Sequence, residues 1–394
     1  MNPSAQRIVL QIVDRMARHG TLHLTLSDGT QATLGTGAPV ADLTIGDATS
    51  VPELVRHGTM GFAEAYMQGR IGTSDIAALV RWGAANHDAW FSSLPGRVLG
   101  FLRGVWLQLR PERRHPRVQT MADHYNLGNE FYATWLDSTF TYSSARFQQP
   151  DQPLDDAQRH KYATIAAHAG LQPGMRVLEI GCGWGGFAEY AAREIGCSVV
   201  GITIAQEQAE FARKRMADLG LTDRVEIRLE DFRDTRGEFD AVVSIEMIES
   251  IDERQWPALF ATIAARLKAT GRAVMQIITI DDALWHRYRT NVDFIQQYIF
   301  PGGQLPAPQV LRKLSADVDL AVEQRETFGL DYARTLDHWR ERFAAAWPSL
   351  DGTDGLDQRF RRMWDLYLTL CAAAFNTGRI DVEQWVFAGA PRTV

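Results

Sequence analysis

The chain has 394 residues, 45% of them hydrophobic and 23% charged, with a formal net charge of −7. Such a chain is long enough for a large core and two domains, and its balance excludes intrinsic disorder and whole-surface attraction to nucleic acid or anionic lipid. Its cysteines, Cys182, Cys197 and Cys371, form no CxxC pair, which excludes a disulfide framework and leaves no metal site to expect.

The opening stretch carries charges throughout, unlike a signal peptide, and no run of about 18 uninterrupted apolar residues follows, so a cytoplasmic protein is expected. An amphipathic helix there leads to strand-like runs at Thr21–Leu26 and Gln31–Leu34 around the turn Ser27-Asp28-Gly29. Helical periodicity then covers Val51–Met67 and Ser74–Ala85, and residues 1–90 are expected to form a small α+β accessory domain for lipid binding or dimerisation. The linker 91–119 is basic: Arg97, Arg103, Arg110, Arg113, Arg114 and Arg117 face one acid, Glu112, with Phe101, Trp106 and other apolar residues between them. Two readings fit it, an interfacial amphipathic helix reaching phosphates and a solvated helix packed on its neighbour.

From residue 120 to 394 a catalytic domain is expected. Strands are predicted at Arg176–Ile180, Ser198–Thr203, Val225–Leu229, Phe239–Ile245 and Arg272–Ile280. Helical segments separate them; Ala205, Ala209, Ala212 and Met216 share one helix face, which Gly220 can terminate. This alternation implies an α/β fold with a doubly wound, mainly parallel sheet, whose ligands sit at the carboxyl ends of the strands. The first strand runs through Glu179 and Ile180 into the turn Gly181-Cys182-Gly183-Trp184-Gly185-Gly186. A GxGxxG match alone fits a dinucleotide as well as other nucleotides. The second strand ends Gly201-Ile202-Thr203-Ile204 without the acid that a nicotinamide ribose needs. Glu179 before the turn and Asp231-Phe232 after the third strand, an acid and a ring for an adenine, fit S-adenosylmethionine instead.

The chain resembles the cyclopropane fatty acid synthase family, which includes the mycolic acid cyclopropane synthases. The resemblance rests on His124-Tyr125-Asn126-Leu127-Gly128-Asn129, Thr141-Tyr142-Ser143-Ser144, the glycine turn, Val200–Ile204, Ile299-Phe300-Pro301-Gly302-Gly303 and Phe328-Gly329-Leu330-Asp331-Tyr332. It implies a Rossmann-like class I methyltransferase that adds a methyl group to the cis double bond of an unsaturated acyl chain in a membrane phospholipid, at the inner face of the membrane. The cofactor contacts it implies are Tyr142, Ser143, Gly181, Gly183, Thr203, Gln208 and Phe232. With Glu179, Ile204 and Asp231 these make the expected cofactor set. A homodimer and a partner reductase are further expectations, and no nucleic-acid partner is expected.

Attack by an alkene on the cofactor's methyl leaves a carbocation, which aromatic faces can stabilise without intercepting it. Tyr125, Phe147, Phe294, Tyr298, Phe328 and Tyr332 are candidates. The family closes its ring with a bound bicarbonate held by Cys, Glu, His, Tyr and a backbone group near an Ile. Glu249, Ile278 and Tyr332 stand at matching places, whereas Ser144 replaces the cysteine, Glu249-Ser250 the Glu-His pair, and Gln276 a histidine. Gln276 offers only a neutral amide, so bicarbonate should bind less well and Glu249, its pKa raised by an apolar site, becomes the candidate base. The catalytic set is Glu249, Tyr332, Gln276 and Ser144, and a methyl- or methylene-branched product is expected. True ring closure, a methyltransferase of a soluble small molecule, a lipid-binding protein without activity and a nicotinamide dehydrogenase are the competing readings.

Overall fold

The computed structural model describes residues 17–47, 58–86, 128–353 and 355–389, with Leu10, Val13 and Asp14. These fall into two compact units, one from the described parts of 1–118 together with 347–373, the other from those of 119–346 together with 374–394. Most of the opening helix, the start of the Val51–Met67 helix, the basic segment and the motif residues 124–127 lie outside the described residues.

In the first unit the strands β1 (Gly20–Thr25), β2 (Gln31–Thr36), β3 (Val40–Ile45) and β4 (Ile71–Gly72) form a sheet in the order β2-β1-β3-β4. Leu22 and Leu24 alternate inward from β1, the period-2 pattern of a half-buried strand. Two helices accompany the sheet, α1 (Thr59–Met67) and α2 (Ile76–Ala85), the second capped by Asp75, whose side chain accepts from the Ala77 and Ala78 N–H groups. From the later segment, the Arg362 guanidinium donates to the Tyr66 and Ile71 carbonyls at 3.1 and 3.3 Å.

The second unit contains a sheet of β5 (Arg176–Ile180), β6 (Ser198–Thr203), β7 (Val225–Leu229), β8 (Phe239–Ile245), β9 (Leu267–Ile280), β10 (Leu320–Thr327) and β11 (Ile380–Gly389), ordered β10-β11-β9-β8-β5-β6-β7. The strands from β9 to β7 pair in parallel; β11 inserts antiparallel between β9 and β10. Strands β5 to β8 match their predicted ranges. Strand β9 begins at Leu267 instead of Arg272, because exposed Lys268, Ala269 and Thr270 extend it along the sheet without an apolar pattern to announce them.

Side chains of β5 and β6 alternate between two cores. Leu178, Ile180, Val200 and Ile202 pack with Trp256, Leu259, Phe260 and Ile263 of one helix, α3 (Trp256–Arg266). On the other face Val177 and Val199 meet Ile165 and Ala166 of α4 (Leu154–His168) and Ala209, Ala212 and Met216 of α5 (Gln206–Asp218). Apolar helices on both faces explain why β5 is buried from Val177 to Ile180. The chain leaves β5 toward β6 and β7, then crosses back to β8, so the ends of β5 and β8 flank the switch point where open α/β sheets bind ligands. Among the described residues no helix is long and apolar enough to cross a membrane.

Candidate active site

A cavity of about 500 Å³ opens at the carboxyl ends of β5, β6, β7 and β8. All ten residues of the expected cofactor set border it: Tyr142 and Ser143, Glu179, Gly181 and Gly183, Thr203, Ile204 and Gln208, and Asp231 with Phe232. Gly181 and Gly183 have φ of +82° and +52°, conformations that side chains resist. A Cβ at Gly181 would lie 2.6 Å from Met247 Cγ, whereas at Gly183 it would meet no protein atom within 4 Å. The Thr203 hydroxyl donates to Gln208 Oε1 at 2.9 Å and accepts from the Ala205 N–H at 3.2 Å, so it both trims the following helix and positions Gln208. Exposed Ile204 and buried Phe232 present apolar surfaces to the cavity. Asp231 reaches it too, but its two oxygens are engaged by Arg233 Nε and Nη2 at 2.8 and 2.6 Å. Its neighbour Glu230 has a buried oxygen with no protein partner and was missed by the sequence reading.

The expected catalytic residues lie elsewhere. Ser144, Glu249, Gln276 and Tyr332 do not border the cavity but stand behind its wall, and three of them converge on a residue the sequence reading overlooked. That residue is Glu246, just past the end of β8, with φ +50° and bordering the cavity. Its Oε1 accepts from the Ser144 backbone N–H and from Gln276 Nε2, both at 2.8 Å, and its Oε2 accepts from the Tyr332 hydroxyl at 2.8 Å. Ser144 reaches Glu246 through its backbone N–H, while its hydroxyl donates to the Ala145 carbonyl. Gln276 is oriented by Gln384 of β11, whose Nε2 donates to Gln276 Oε1 at 3.0 Å. Tyr332 is stacked on Phe375 with ring centroids 4.5 Å apart.

Glu249 accepts from the Ile278 N–H with one oxygen, while the other is buried without a partner. Burial, and then the charge of Glu246, push its carboxyl up to about 8, so at neutral pH it holds a proton. Burial also raises Glu246, against the opposing pull of Lys161 and the three donors, and its charge is what adds to the rise of Glu249. Lys161, from α4, is fully buried, donates to Ser143 Oγ at 2.6 Å, and is lowered to about 8 by burial against the pull of Glu246, Asp137 and Glu179. Of the aromatic candidates, Tyr125 is outside the described residues and none of the other five borders the cavity. Phe147 lies under Arg334 and Phe328 under Arg146, while Phe294 pairs with Tyr298. Phe140, Tyr142 and Trp184 are aromatic residues that border it.

The family model of mycolic acid cyclopropane synthetase matches residues 112–385. The chain belongs to that family. A separate domain of unknown function matches residues 10–93. Among the relatives of this cyclopropane synthetase family member, a tuberculostearic acid methyltransferase of Mycobacterium tuberculosis is 37% identical over 391 residues, 96% of this chain and 90% of that one. The cyclopropane-fatty-acyl-phospholipid synthase of Escherichia coli is 34% identical over 363 residues, 89% of each chain. A solved cyclopropane synthase from Mycobacterium tuberculosis superposes with a TM-score of 0.64 at 31% identity, covering 68% of this chain and 96% of that one. The protein is an S-adenosylmethionine-dependent methyltransferase of the class I, Rossmann-like fold.

The family's cofactor fits the cavity of this member. Glu179 is 3% exposed, yet one of its buried oxygens has no protein partner and it borders the cavity, which is what a donor on a bound amino-acid moiety would satisfy. Gly183→Ala is expected to weaken S-adenosylmethionine binding by on the order of tenfold, since left-handed backbone costs about 1–2 kcal/mol and the new methyl enters the cavity. Calorimetric titration checks it; unchanged affinity would remove Gly183 from the cradle.

Glu249→Gln should keep turnover at pH 7 within about tenfold, because an amide replaces an already neutral acid of the same shape. It should also change the pH dependence of stability. With a folded value of about 8 against an unfolded one near 4.5, the native state binds the extra proton between those limits, so stability falls as pH rises through that window. The variant should lack this fall in urea titrations from pH 4.5 to 8; an identical slope would contradict the assignment.

Proposed function

We propose that this enzyme methylates the cis double bond of an unsaturated acyl chain in a membrane phospholipid and forms a methylene- or methyl-branched product. The observation that carries the reading is Glu246, a carboxylate on the wall of the cofactor cavity that receives three hydrogen bonds. When bound, S-adenosylmethionine supplies an electrophilic methyl on a positively charged sulfonium. The alkene's π electrons form the new C–C bond and leave a carbocation on the adjacent acyl carbon. An alkene is a weak nucleophile, so the cavity must align it and exclude water. The faces of Phe140, Tyr142 and Trp184 suit a neighbouring cation.

The methyl's bond to sulfur would break in the same step, its electron pair staying on sulfur as a neutral thioether. Two fates then compete. Loss of a proton from the added methyl, with its C–H electron pair closing onto the cationic carbon, gives a ring. A 1,2-hydride shift first moves the cation to the methyl-bearing carbon, and loss of a proton from the methyl then gives a methylene branch on the acyl chain. Either way the proton goes to a Glu246 oxygen. The shift is favoured because it moves the charge from a secondary to a tertiary carbon before the proton is lost. A saturated methyl branch needs two further electrons and two protons, the work of a partner reductase.

The names of the two full-length relatives, one a methyltransferase and one a phospholipid synthase, support the acyl substrate. The separate matches to 10–93 and 112–385 support a division into accessory domain (1–90), basic linker (91–119) and catalytic domain (120–394). We place the linker at the inner face of the membrane. Incubation with labelled cofactor and liposomes of mono- or di-unsaturated phospholipid tests the proposal. Label in a branched or methylene acyl chain, read by mass spectrometry and NMR, is the expected result. A cyclopropane methylene signal would overturn the product, and label only in soluble metabolites would overturn the substrate.

A further inference from the structure

We infer that the Glu246 side chain takes the place that the family reserves for a bound bicarbonate, so that this enzyme binds no bicarbonate and needs none. The inference deepens the proposed function, since it names the origin of the base in that site. The resemblance assigns bicarbonate to residues at positions 144, 249, 276 and 332 and to a backbone group near Ile278. Here those donors are already committed to carboxylates of the chain itself. The hydroxyl of Tyr332, the amide of Gln276 and the Ser144 N–H all reach Glu246, and the Ile278 N–H reaches Glu249. A small anion placed among them would find these four N–H and O–H groups taken, with only the protonated Glu249 oxygen left to meet it, and would face the charge of Glu246.

The backbone is shaped for this substitution. Glu246 follows β8 in a left-handed conformation, φ +50°, with its N–H held by the Gln276 carbonyl at 2.8 Å. A non-glycine residue tolerates that conformation only where its surroundings fix it, and the three hydrogen bonds to the carboxylate do so. Two acceptor sites on each carboxylate oxygen give four, of which three are used, two on Oε1 and one on Oε2. The remaining site, on Oε2, is the one free to take a proton. A tethered carboxylate also differs from a bound ion in being present in every molecule, whatever the supply of dissolved carbon dioxide.

The test uses the full-length protein and two readouts. The first is binding of [13C]bicarbonate, followed by the broadening and shift of its NMR line, which does not depend on the lipid substrate. The second is transfer of labelled methyl to unsaturated phospholipid in buffer stripped of carbon dioxide and then resupplied. The wild type is expected to show no binding and equal rates in the two buffers. Glu246→Gly removes the carboxylate where the backbone favours glycine; it should bind bicarbonate, lose on the order of 100-fold in rate, and recover tenfold or more on resupply. Glu246→Gln fills the same space and should neither bind nor recover. Saturable bicarbonate binding by the wild type, or a rate that collapses without carbon dioxide, would overturn the inference. So would a Glu246→Gly protein that still binds S-adenosylmethionine yet shows neither binding nor rescue. Should Glu246→Gly fail to bind the cofactor, a Glu246→Gln variant with wild-type turnover and intact cofactor binding would overturn it. Wild-type failure to label any lipid would sink the proposed substrate instead, and the binding arm would still decide this point.

Discussion

Glu246→Gln is expected to lower product formation by roughly 10²- to 10⁴-fold, the usual contribution of a positioned general base, while S-adenosylmethionine affinity changes by less than about threefold. In barrier terms that is about 3 to 5 kcal/mol. The amide keeps the size of the side chain and an acceptor for the Ser144 and Gln276 donors, so packing is preserved and only basicity is lost. The effect belongs in kcat, because the base acts after the acyl chain is bound. Burial raises the carboxyl of Glu246, so wild-type activity should fall as acid protonates it, and the variant should lack that acidic limb. A full pH profile of kcat for both proteins is the measurement, and equal rates at neutral pH would refute the role.

Lys161→Met is expected to destabilise the protein by about 3–5 kcal/mol, the cost of removing one partner from a buried charge cluster. Lys161 is fully buried and balances Glu246, Asp137 and Glu179, all of which burial pushes upward. Without it at least one carboxylate must take up a proton to remain inside. At roughly 2–4 °C per kcal/mol for a domain of this size, the melting temperature should drop by about 10 °C. The loss should shrink in acid, where the carboxylates are neutral in either protein. In the wild type the folded ammonium, lowered to about 8 from 10.5, binds fewer protons than the unfolded one between those values, so stability gains a rising component with pH there. The variant should lack it. Thermal and urea unfolding at acidic, neutral and alkaline pH test both points; equal destabilisation at every pH would show that Lys161 acts only by packing.

The cofactor half of the site was legible because its determinants are local. Strands β5 to β8 are short and rich in apolar residues, the turn after β5 alternates glycine with other residues, and all of the expected cofactor set except Tyr142 and Ser143 lies at or just past the end of one of these strands. Placing a parallel sheet then puts those ends side by side without further information. The aromatic candidates Phe147, Phe294 and Phe328 carry no such local signal, and in the fold they stand away from this cavity against guanidinium partners or a neighbouring ring.

The sequence by itself determined the doubly wound fold, the glycine cradle and the choice of S-adenosylmethionine over a nicotinamide, since each follows from the succession of strands, turns and helices and the residues at the strand ends. Only the tertiary structure distinguishes the two carboxylates beside the cavity. Glu246 and Glu249 stand three residues apart and look equivalent in the chain, and that pairing was the one local signal available. Their difference comes from partners at positions 144, 276, 332 and 161, distant in sequence and brought together by β9, β11 and α4. Hydrogen bonding and burial act through space, so they shift a pKa or aim an oxygen in ways that no residue spacing along the chain records.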